Sequence, residues 1–226
     1  MMRLRENIAR NPKVDLFVFD FDDTLAETGN LVYVVPKGQY DSREEPVETD
    51  IIEELSSEEF LTYDLQVNEE FNFSDFNTVR AASPIGHMMK LFMRKAADPG
   101  AIVYILTARG SAAEEAIERY LDSVARSMGF DGIGIPSRNI VGLGSNAPED
   151  KASKIKNWIV KEHPGTLHYF DDSMKNLREF EVQFDELMAY IDSGKSSVLT
   201  KAAVDGVRGA VYVSHPEGTP REISAV

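Results

Sequence analysis

The chain has 226 residues, of which 42% are hydrophobic, and this length and composition predict one domain of moderate size or one domain with a substantial insertion. The formal net charge of −14 excludes nucleic-acid binding through bulk electrostatics, although it leaves a nucleotide substrate open. The absence of cysteine excludes disulfides and thiolate metal sites, and because no apolar signal core or membrane span is found, we expect a soluble cytoplasmic protein without a membrane partner.

The first predicted strand covers residues 15–19 and ends in a cluster of acidic residues. Its last four residues are all apolar, which is typical of a strand that is buried on both faces of a parallel sheet. Asp20, Asp22 and Asp23 follow within four residues, and Thr24 comes next. Carboxylates crowded at the end of a buried strand repel each other and lose hydration, and a divalent cation is the usual agent that offsets this cost. The stretch therefore predicts a strand that delivers a reactive carboxylate and a cation to a crevice beyond the sheet.

Residues 26–83 lack a regular alternation of strands and helices and are predicted to form an insertion. A short strand is predicted at residues 31–35, and a strongly acidic stretch covers residues 41–59. Near the end of that stretch, Ser56 and Glu59 have the spacing of a capping box at a helix start.

Three phenylalanines, Phe71, Phe73 and Phe76, lie close together near the end of this insertion. One interpretation is that they pack between the insertion and the main domain. The other is that one of them faces the crevice and stacks on a ring of the substrate. The sequence leaves both interpretations open.

From residue 84 onward, helices and strands alternate, which indicates a parallel sheet that is covered on both sides. Helices are predicted at residues 84–97, 111–128, 148–162 and 173–192, the last of these as one or two helices. Strands are predicted at residues 101–106, 140–141, 166–170 and 211–213. We expect Pro84 to open the first helix, and Ser111 with Glu114 to cap the second.

Polar residues follow two more of these strands, and a lysine lies in the first turn of a helix. These sites are Thr107-Ala108-Arg109-Gly110 after the strand at 101–106, Asp171-Asp172-Ser173 after the strand at 166–170, and Lys151 in the helix at 148–162. Because the carboxyl ends of parallel strands lie along one edge of a sheet, we expect all of them to converge with Asp20 on one crevice.

The order of these motifs resembles the haloacid dehalogenase superfamily of phosphohydrolases. The resemblance lies in Asp20-x-Asp22-x-Thr24-Leu25, then Thr107, then Lys151, then Asp171-Asp172, within residues 14–176. The stretches FDFDDTL, LTAR and FDDSxxN are also similar to those of small hydrolases of bacteriophage type. The resemblance implies an α/β fold, a three-layer αβα Rossmann-like parallel sheet. Residues 1–25 and 84–226 would form its core domain, and residues 26–83 a small inserted cap.

The resemblance also implies a role for each motif. Asp20 would be the nucleophile that forms an aspartyl-phosphate, and Asp22 the general acid and base. The Mg²⁺ ligands would be Asp20, Asp22 through its backbone carbonyl, and Asp171. The phosphoryl oxygens would be held by Thr107, Ala108 and Lys151. Further residues expected around the site or against the substrate are Thr24, Arg109, Asp172 and Asn176.

Two of these assignments have alternatives. Lys154 lies on the same predicted helix as Lys151, and the sequence leaves open which of the two lysines binds the phosphate. Arg109 would form a salt bridge at a helix start, or it would bind a second phosphate or a carboxylate of the substrate.

The activity that these features predict is that of a Mg²⁺-dependent phosphomonoesterase. A small phosphomonoester or a nucleotide is favoured as substrate, because the acidic stretch at residues 41–59 would repel polyanions, whereas the bacteriophage resemblance favours phosphorylated nucleic-acid ends.

The alternative from another functional class is a phosphoacceptor signalling domain or a non-catalytic phosphate-binding domain. In receiver domains the acidic pair lies on the first strand and the phosphorylated Asp on a later one, which is the reverse of the order here. No feature of the sequence indicates the oligomeric state.

Overall fold

The computed structural model describes residues 14–60, 62–193, 208–213 and 221–225, and residues 1–13, which the sequence assigns to the core domain, lie outside this described part. The strands are β1 Asp15–Phe19, β2 Ala26–Glu27, β3 Val32–Pro36, β4 Glu53–Leu55, β5 Glu69–Asn72, β6 Ser83–Pro84, β7 Ala101–Thr107, β8 Ile140–Gly142, β9 Thr166–Asp171, β10 Arg208–Val213 and β11 Arg221–Ala225. The helices are α1 Ser57–Phe60, α2 Gly86–Ala96, α3 Glu114–Ser127, α4 Pro148–Glu162 and α5 Met174–Asp192. Short 3₁₀ turns lie at Glu48–Asp50, Ser74–Asn77, Ser111–Ala113 and Ser137–Asn139.

Six of the strands form one sheet in the order β11-β10-β9-β1-β7-β8. Neighbouring strands in this sheet are parallel, except that the edge strand β11 is antiparallel to β10. Strand β1 lies inside the sheet, where Phe19 is opposite Phe170 of β9 on one side and Ile105 of β7 on the other. The carboxyl ends of β1, β7 and β9 therefore lie next to one another along one edge.

The side chains of β1 pack on both faces of the sheet. Phe17 and Phe19 belong to a buried cluster with residues of α2 and α3, whereas Leu16 and Val18 belong to a cluster with residues of α4 and α5. Since successive strand residues point to opposite faces, a strand that is apolar throughout must be covered on both. The chain is thus an α/β protein with a parallel sheet flanked by helices, as predicted, and this arrangement is compatible with a Rossmann-like fold.

The bounds of helix α4 and the continuity of helix α5 can be compared with the predictions. Helix α4 has the predicted bounds, because Pro148 is favoured at a first helical position and His163 ends the helix in a left-handed conformation with φ of 52°. Helix α5 is one continuous helix.

Among the described residues, none of the helices combines the length and the apolar character that a membrane span requires.

Two of the predicted helix starts are wrong. Pro84 lies in β6, which pairs with β2, so that α2 begins at Gly86. Ser111 begins a 3₁₀ turn instead of capping α3, and the carboxylate of Glu114 accepts a hydrogen bond from the N–H of Gly142 (3.0 Å). Contacts with distant strands thereby replace the local capping that the sequence suggested.

Residues 26–83 form two small antiparallel sheets, one of β2 and β6 and one in the order β4-β3-β5. The predicted strand at residues 31–35 is observed as β3, and Ser56 and Glu59 form the reciprocal hydrogen bonds of a capping box at α1. Val32, Val34 and Leu55 form a buried cluster here. The partly buried aromatic residues packed against it are Phe60, Tyr63, Phe71, Phe73 and Phe76.

Candidate active site

The sites that the sequence places at the ends of separate strands meet at one edge of the sheet. Asp20 directly follows β1, and Asp171 is the last residue of the neighbouring strand β9. The N–H of Asp20 donates a hydrogen bond to the carbonyl of Phe170 (2.9 Å), so sheet hydrogen bonding itself holds the two aspartates side by side. Thr107 ends β7 on the other side of β1. All three side chains are buried.

Asp20, Asp171 and Asp172 form a cluster of carboxylates that fits a divalent cation. One oxygen of each carboxylate lies within 4.8 Å of the others. The side-chain amide of Asn176 and the N–H of Ser173 each donate a hydrogen bond of 2.9 Å to Oδ1 of Asp171, which fixes the orientation of this carboxylate. Hard cations such as Mg²⁺ are bound by oxygen ligands of this kind, and often by only one or two carboxylates. The donor set therefore suits Mg²⁺.

The ammonium group of Lys151 contacts the carboxylates of this cluster. Its Nζ lies 3.0 Å from Oδ2 of Asp20 and 2.8 Å from Oδ2 of Asp171, and the residue is only 3% exposed. Burial by itself would lower the pKa of Lys151, but the carboxylates of Asp20 and Asp171 raise it above its ordinary value, so that the ammonium stays charged. Lys154 instead lies with its Nζ 5.6 Å from the ring centroid of Trp158.

The cluster carries more negative charge than Lys151 offsets. Burial raises the pKa of Asp20 well above its ordinary value, Lys151 lowers it, and the neighbouring carboxylates of Asp171 and Asp172 raise it further. Burial, followed by the charge of Asp171, raises the pKa of Asp172 to about 6. Burial and the same charge raise the pKa of Tyr169, whose hydroxyl donates a hydrogen bond to Asp171 (2.6 Å). A divalent cation at this point would favour the ionised carboxylates.

The carboxylate of Asp22 forms a bidentate ion pair with Arg109 instead of joining this cluster. Nε of Arg109 donates to Oδ2 of Asp22 (2.8 Å), and Nη2 donates to Oδ1 (2.7 Å). The remaining hydrogen bonds of the guanidinium go to the insertion, to the side chains of Thr28 and Asn30 and to the carbonyls of Phe76 and Thr78. Arg109 thus connects Asp22 with the inserted segment, and its partner is a loop carboxylate rather than a helix end.

The other predicted site residues also lie around this edge of the sheet. The hydroxyl of Thr107 accepts a hydrogen bond from the N–H of Arg109 (3.2 Å), which shapes the loop that follows β7. Thr24 is buried in the tight turn after Asp22. In this turn, Asp23 has a positive φ of 53°, and its N–H donates to the carbonyl of Ala26 (2.9 Å).

A contributor that sequence reasoning missed is Tyr169. It lies two residues before Asp171 on β9, so that both side chains are on the same face of the sheet. This spacing of two along a strand is the signal that would have found it. Its hydroxyl and the ammonium of Lys151 both donate to Oδ2 of Asp171.

A cleft of ≈ 540 Å³ lies beside the candidate site, between the main sheet and the inserted segment. Asp22, Ala108 and Arg109 line it from the core. Phe73 and Phe76 line it from the insertion while also packing in the small aromatic cluster. This volume is within the range of small-molecule sites, which is roughly 300–1,000 Å³.

Comparisons with known proteins add one distant structural similarity. No protein-family model matches this sequence, and no curated protein matches it significantly. Among solved structures, the chain is similar to the crystal structure of the Legionella pneumophila effector Ceg4 with an N-terminal TEV protease cleavage sequence. The TM-score is 0.42 at 15% sequence identity, with 95% of this chain and 93% of that chain covered. A similarity of this degree supports no conclusion about function.

Proposed function

We propose that the protein is a Mg²⁺-dependent phosphomonoesterase of the haloacid dehalogenase type, which acts through an aspartyl-phosphate. In this proposal the fold is a three-layer αβα core with residues 26–83 as a small cap. The observation that carries the proposal is the contact of Lys151 with both Asp20 and Asp171 at the carboxyl edge of a parallel sheet. Asp20 lies 131 residues before Lys151 in the sequence and Asp171 lies 20 residues after it, and this convergence supports the proposal.

Asp20 is the proposed nucleophile. Its carboxylate oxygen attacks phosphorus, the bond from phosphorus to the leaving oxygen breaks, and water later hydrolyses the acyl-phosphate to release inorganic phosphate. Mg²⁺, held by Asp20, Asp171, the Asp22 carbonyl and the nearby Asp172, would supply positive charge to the phosphoryl oxygens. Lys151 contributes a second positive charge, since it is already fixed against Asp20.

Asp22 is the proposed proton donor to the leaving oxygen and the proton acceptor for the attacking water. It lines the cleft, where the leaving group would lie. Both of its carboxylate oxygens accept hydrogen bonds from Arg109, which fixes the orientation of Asp22. Each carboxylate oxygen has two lone pairs, so Asp22 can take up or release a proton while it stays paired with Arg109. The hydroxyl of Thr107 and the backbone of Ala108 are the proposed contacts for the phosphoryl oxygens.

The proposed substrate is a small phosphomonoester or a nucleotide, with phosphorylated nucleic-acid ends as the alternative. The size of the cleft and the net charge of −14 favour the small molecule. The alternative from another functional class is phosphoacceptor signalling, for which we expect a phospho-aspartate that persists without hydrolysis.

The test is hydrolysis of an aryl phosphate by the purified chain in the presence of Mg²⁺. Asp20→Asn is expected to reduce the rate to background, and EDTA should do the same to the unmodified protein. Asp15→Asn is the matched control, because Asp15 is the same residue type at the opposite end of β1, and it should retain activity. An unmodified protein that is inactive on a broad panel of phosphomonoesters would refute the proposal, and stoichiometric phospho-aspartate without turnover would support the signalling rival.

A further inference from the structure

The insertion places an arginine, Arg43, in the wall of the cleft. Its guanidinium lies against the backbone of two core loops. A Cβ on Gly110 would overlap this guanidinium, and a Cβ on Gly144 would lie 3.1 Å from Nη2. Gly144 also has a positive φ of 69°, which a side chain would strain. The two glycines therefore leave the space that this arginine occupies.

The charge of Arg43 is not offset within the described part of the chain. Its guanidinium has no ion pair and no hydrogen bond with any described residue, because its only hydrogen bonds are made by its backbone. Arg109, the other cation that lines the cleft, is neutralised by Asp22. A ligand that enters the cleft thus meets one free guanidinium, which is a strong donor to carboxylate and phosphate oxygens.

The backbone around Arg43 is held in place by hydrogen bonds from the side chains of two asparagines. Asn72 is fully buried, and its side-chain amide donates to the carbonyls of Asp41 (3.0 Å) and Glu44 (2.7 Å). The amide of Asn77 donates to the carbonyl of Arg43 itself (3.2 Å). A loop that is fixed in this way loses less conformational entropy on binding, which is the arrangement expected of a recognition residue.

Phe73 and Phe76 form an apolar wall in the same cleft. One side of the Phe76 ring is covered by the guanidinium of Arg109, whose Cζ lies 5.0 Å from the ring centroid. Both rings are only partly buried in the small aromatic cluster, so each has surface left for a ligand. Flat apolar surfaces of this kind favour a planar group.

We propose that Arg43 binds a second anionic group of the substrate, so that the substrate is a phosphomonoester whose planar leaving group carries a further phosphate or carboxylate. The inference rests on the proposed function, because it assumes that the reacting phosphoryl group lies at Asp20 and the leaving group in the cleft. It assigns to Arg43 the recognition of a second anion, a role that the sequence had left as one of two alternatives for Arg109.

The test compares ligand pairs that differ by one anionic group. Binding is measured by calorimetry with Mg²⁺ in the Asp20→Asn protein, which does not turn the ligands over. One pair is adenosine 5′-monophosphate and adenosine 3′,5′-bisphosphate, and the other is phenyl phosphate and 4-carboxyphenyl phosphate. We expect the second anionic group of at least one pair to tighten binding by about tenfold, as one hydrogen bond to a charged group does. The pair that responds identifies the group as phosphate or carboxylate.

Two further variants decide whether Arg43 is the cause. Adding Arg43→Gln should abolish the gain from the second anionic group. Lys37→Gln is the matched control, because it removes one positive charge from an exposed position of the same insertion outside the residues that line the cleft. Lys37→Gln should retain the gain. A gain that persists in Arg43→Gln, a gain lost equally in Lys37→Gln, or no gain in either pair overturns the inference.

The binding measurement separates this inference from the proposed function. If the unmodified protein hydrolyses no phosphomonoester while the gain still depends on Arg43, the phosphatase proposal fails and the anion site stands. If the protein hydrolyses aryl phosphate and the gain is absent, the phosphatase proposal stands and Arg43 is not a recognition residue.

Discussion

Replacing Arg109 by glutamine should be among the most destabilising single substitutions in this chain. Arg109 is 3% exposed, and its guanidinium donates hydrogen bonds to both oxygens of Asp22 and to four further acceptors in the insertion. Glutamine offers one amide in place of this planar set of donors and carries no charge. The substitution leaves Asp22 without its counter-charge and the carbonyl of Phe76 without its donor from Arg109, whereas the carbonyl of Thr78 keeps the longer hydrogen bond from the amide of Asn30 (3.3 Å).

The size of the effect follows from the burial of both partners. Removing one partner of a buried ion pair costs about 3–5 kcal/mol, because the remaining charge stays buried without compensation. The side chain of Asp22 is 28% exposed, so water relieves part of this cost. We therefore expect Arg109→Gln to lower the free energy of unfolding by about 3 kcal/mol, out of the roughly 5–15 kcal/mol that is typical of a native protein.

Urea denaturation measures this loss, with Arg119→Gln as the matched control. Arg119 also pairs with a carboxylate, that of Glu115 one helical turn away, but its side chain is 65% exposed. Such a surface pair contributes roughly 0.5 kcal/mol or less. A double-mutant cycle of Arg109→Gln with Asp22→Asn should give a coupling energy of about 1–3 kcal/mol. Equal losses for Arg109→Gln and Arg119→Gln would refute the reasoning.

Two further predictions concern the backbone beside the site and the titration of the carboxylates. Gly142→Ala should lower the free energy of unfolding by about 1–3 kcal/mol, because its Cβ would overlap the carbonyl of Gly110. Gly86→Ala has open space in helix α2 and should instead raise it by up to about 1 kcal/mol, so similar urea midpoints for the two variants would contradict this. Burial raises the pKa of Asp172 to about 6, so the folded chain binds the carboxyl proton more tightly than the unfolded chain does. Without divalent cations, the free energy of unfolding should therefore fall as the pH rises from about 4 to about 6. Asp172→Asn should flatten this fall in the Tm. The effect is limited by screening, because Asp172 is only partly desolvated and its side chain still contacts water, and an unchanged pH profile would count against the prediction.

The parts of the fold that the sequence predicted are those whose signals are local. Strand β1 is recognisable because its apolar residues occupy both faces, and α4 because Pro148 marks its start. The small sheet of β4, β3 and β5 was only partly predicted. Strand β4 consists of Glu53, Glu54 and Leu55, and its single buried residue gives no periodic pattern. Its position is decided by pairing with β3 across the insertion, which the local sequence does not encode.

For the site, the sequence predicted which residues converge but not how their charges pair. Asp20, Lys151 and Asp171 were placed together because parallel strands share one carboxyl edge, and the structure has them in contact. The pairing of Arg109 with Asp22 joins residues 87 positions apart, and no rule of spacing selects it over a helix end. Arg43 was indistinguishable from other charges in an acidic stretch until the adjoining glycines were located.

The two arginines of the cleft belong to segments that are joined to each other by hydrogen bonds. Arg109 binds the carbonyls of Phe76 and Thr78 in the insertion and both oxygens of Asp22 in the core. The loop of Arg43 is joined to the same part of the insertion, because its carbonyl accepts a hydrogen bond from Asn77, the residue directly after Phe76. Displacement of this segment would strain the hydrogen bonds of Arg109, and these are the bonds that orient the carboxylate of Asp22. The insertion would thereby position the proposed acid and base as well as influence the choice of substrate. Substitutions at Asn77 should therefore change kcat more than KM, and a change in KM alone would contradict this role of the insertion.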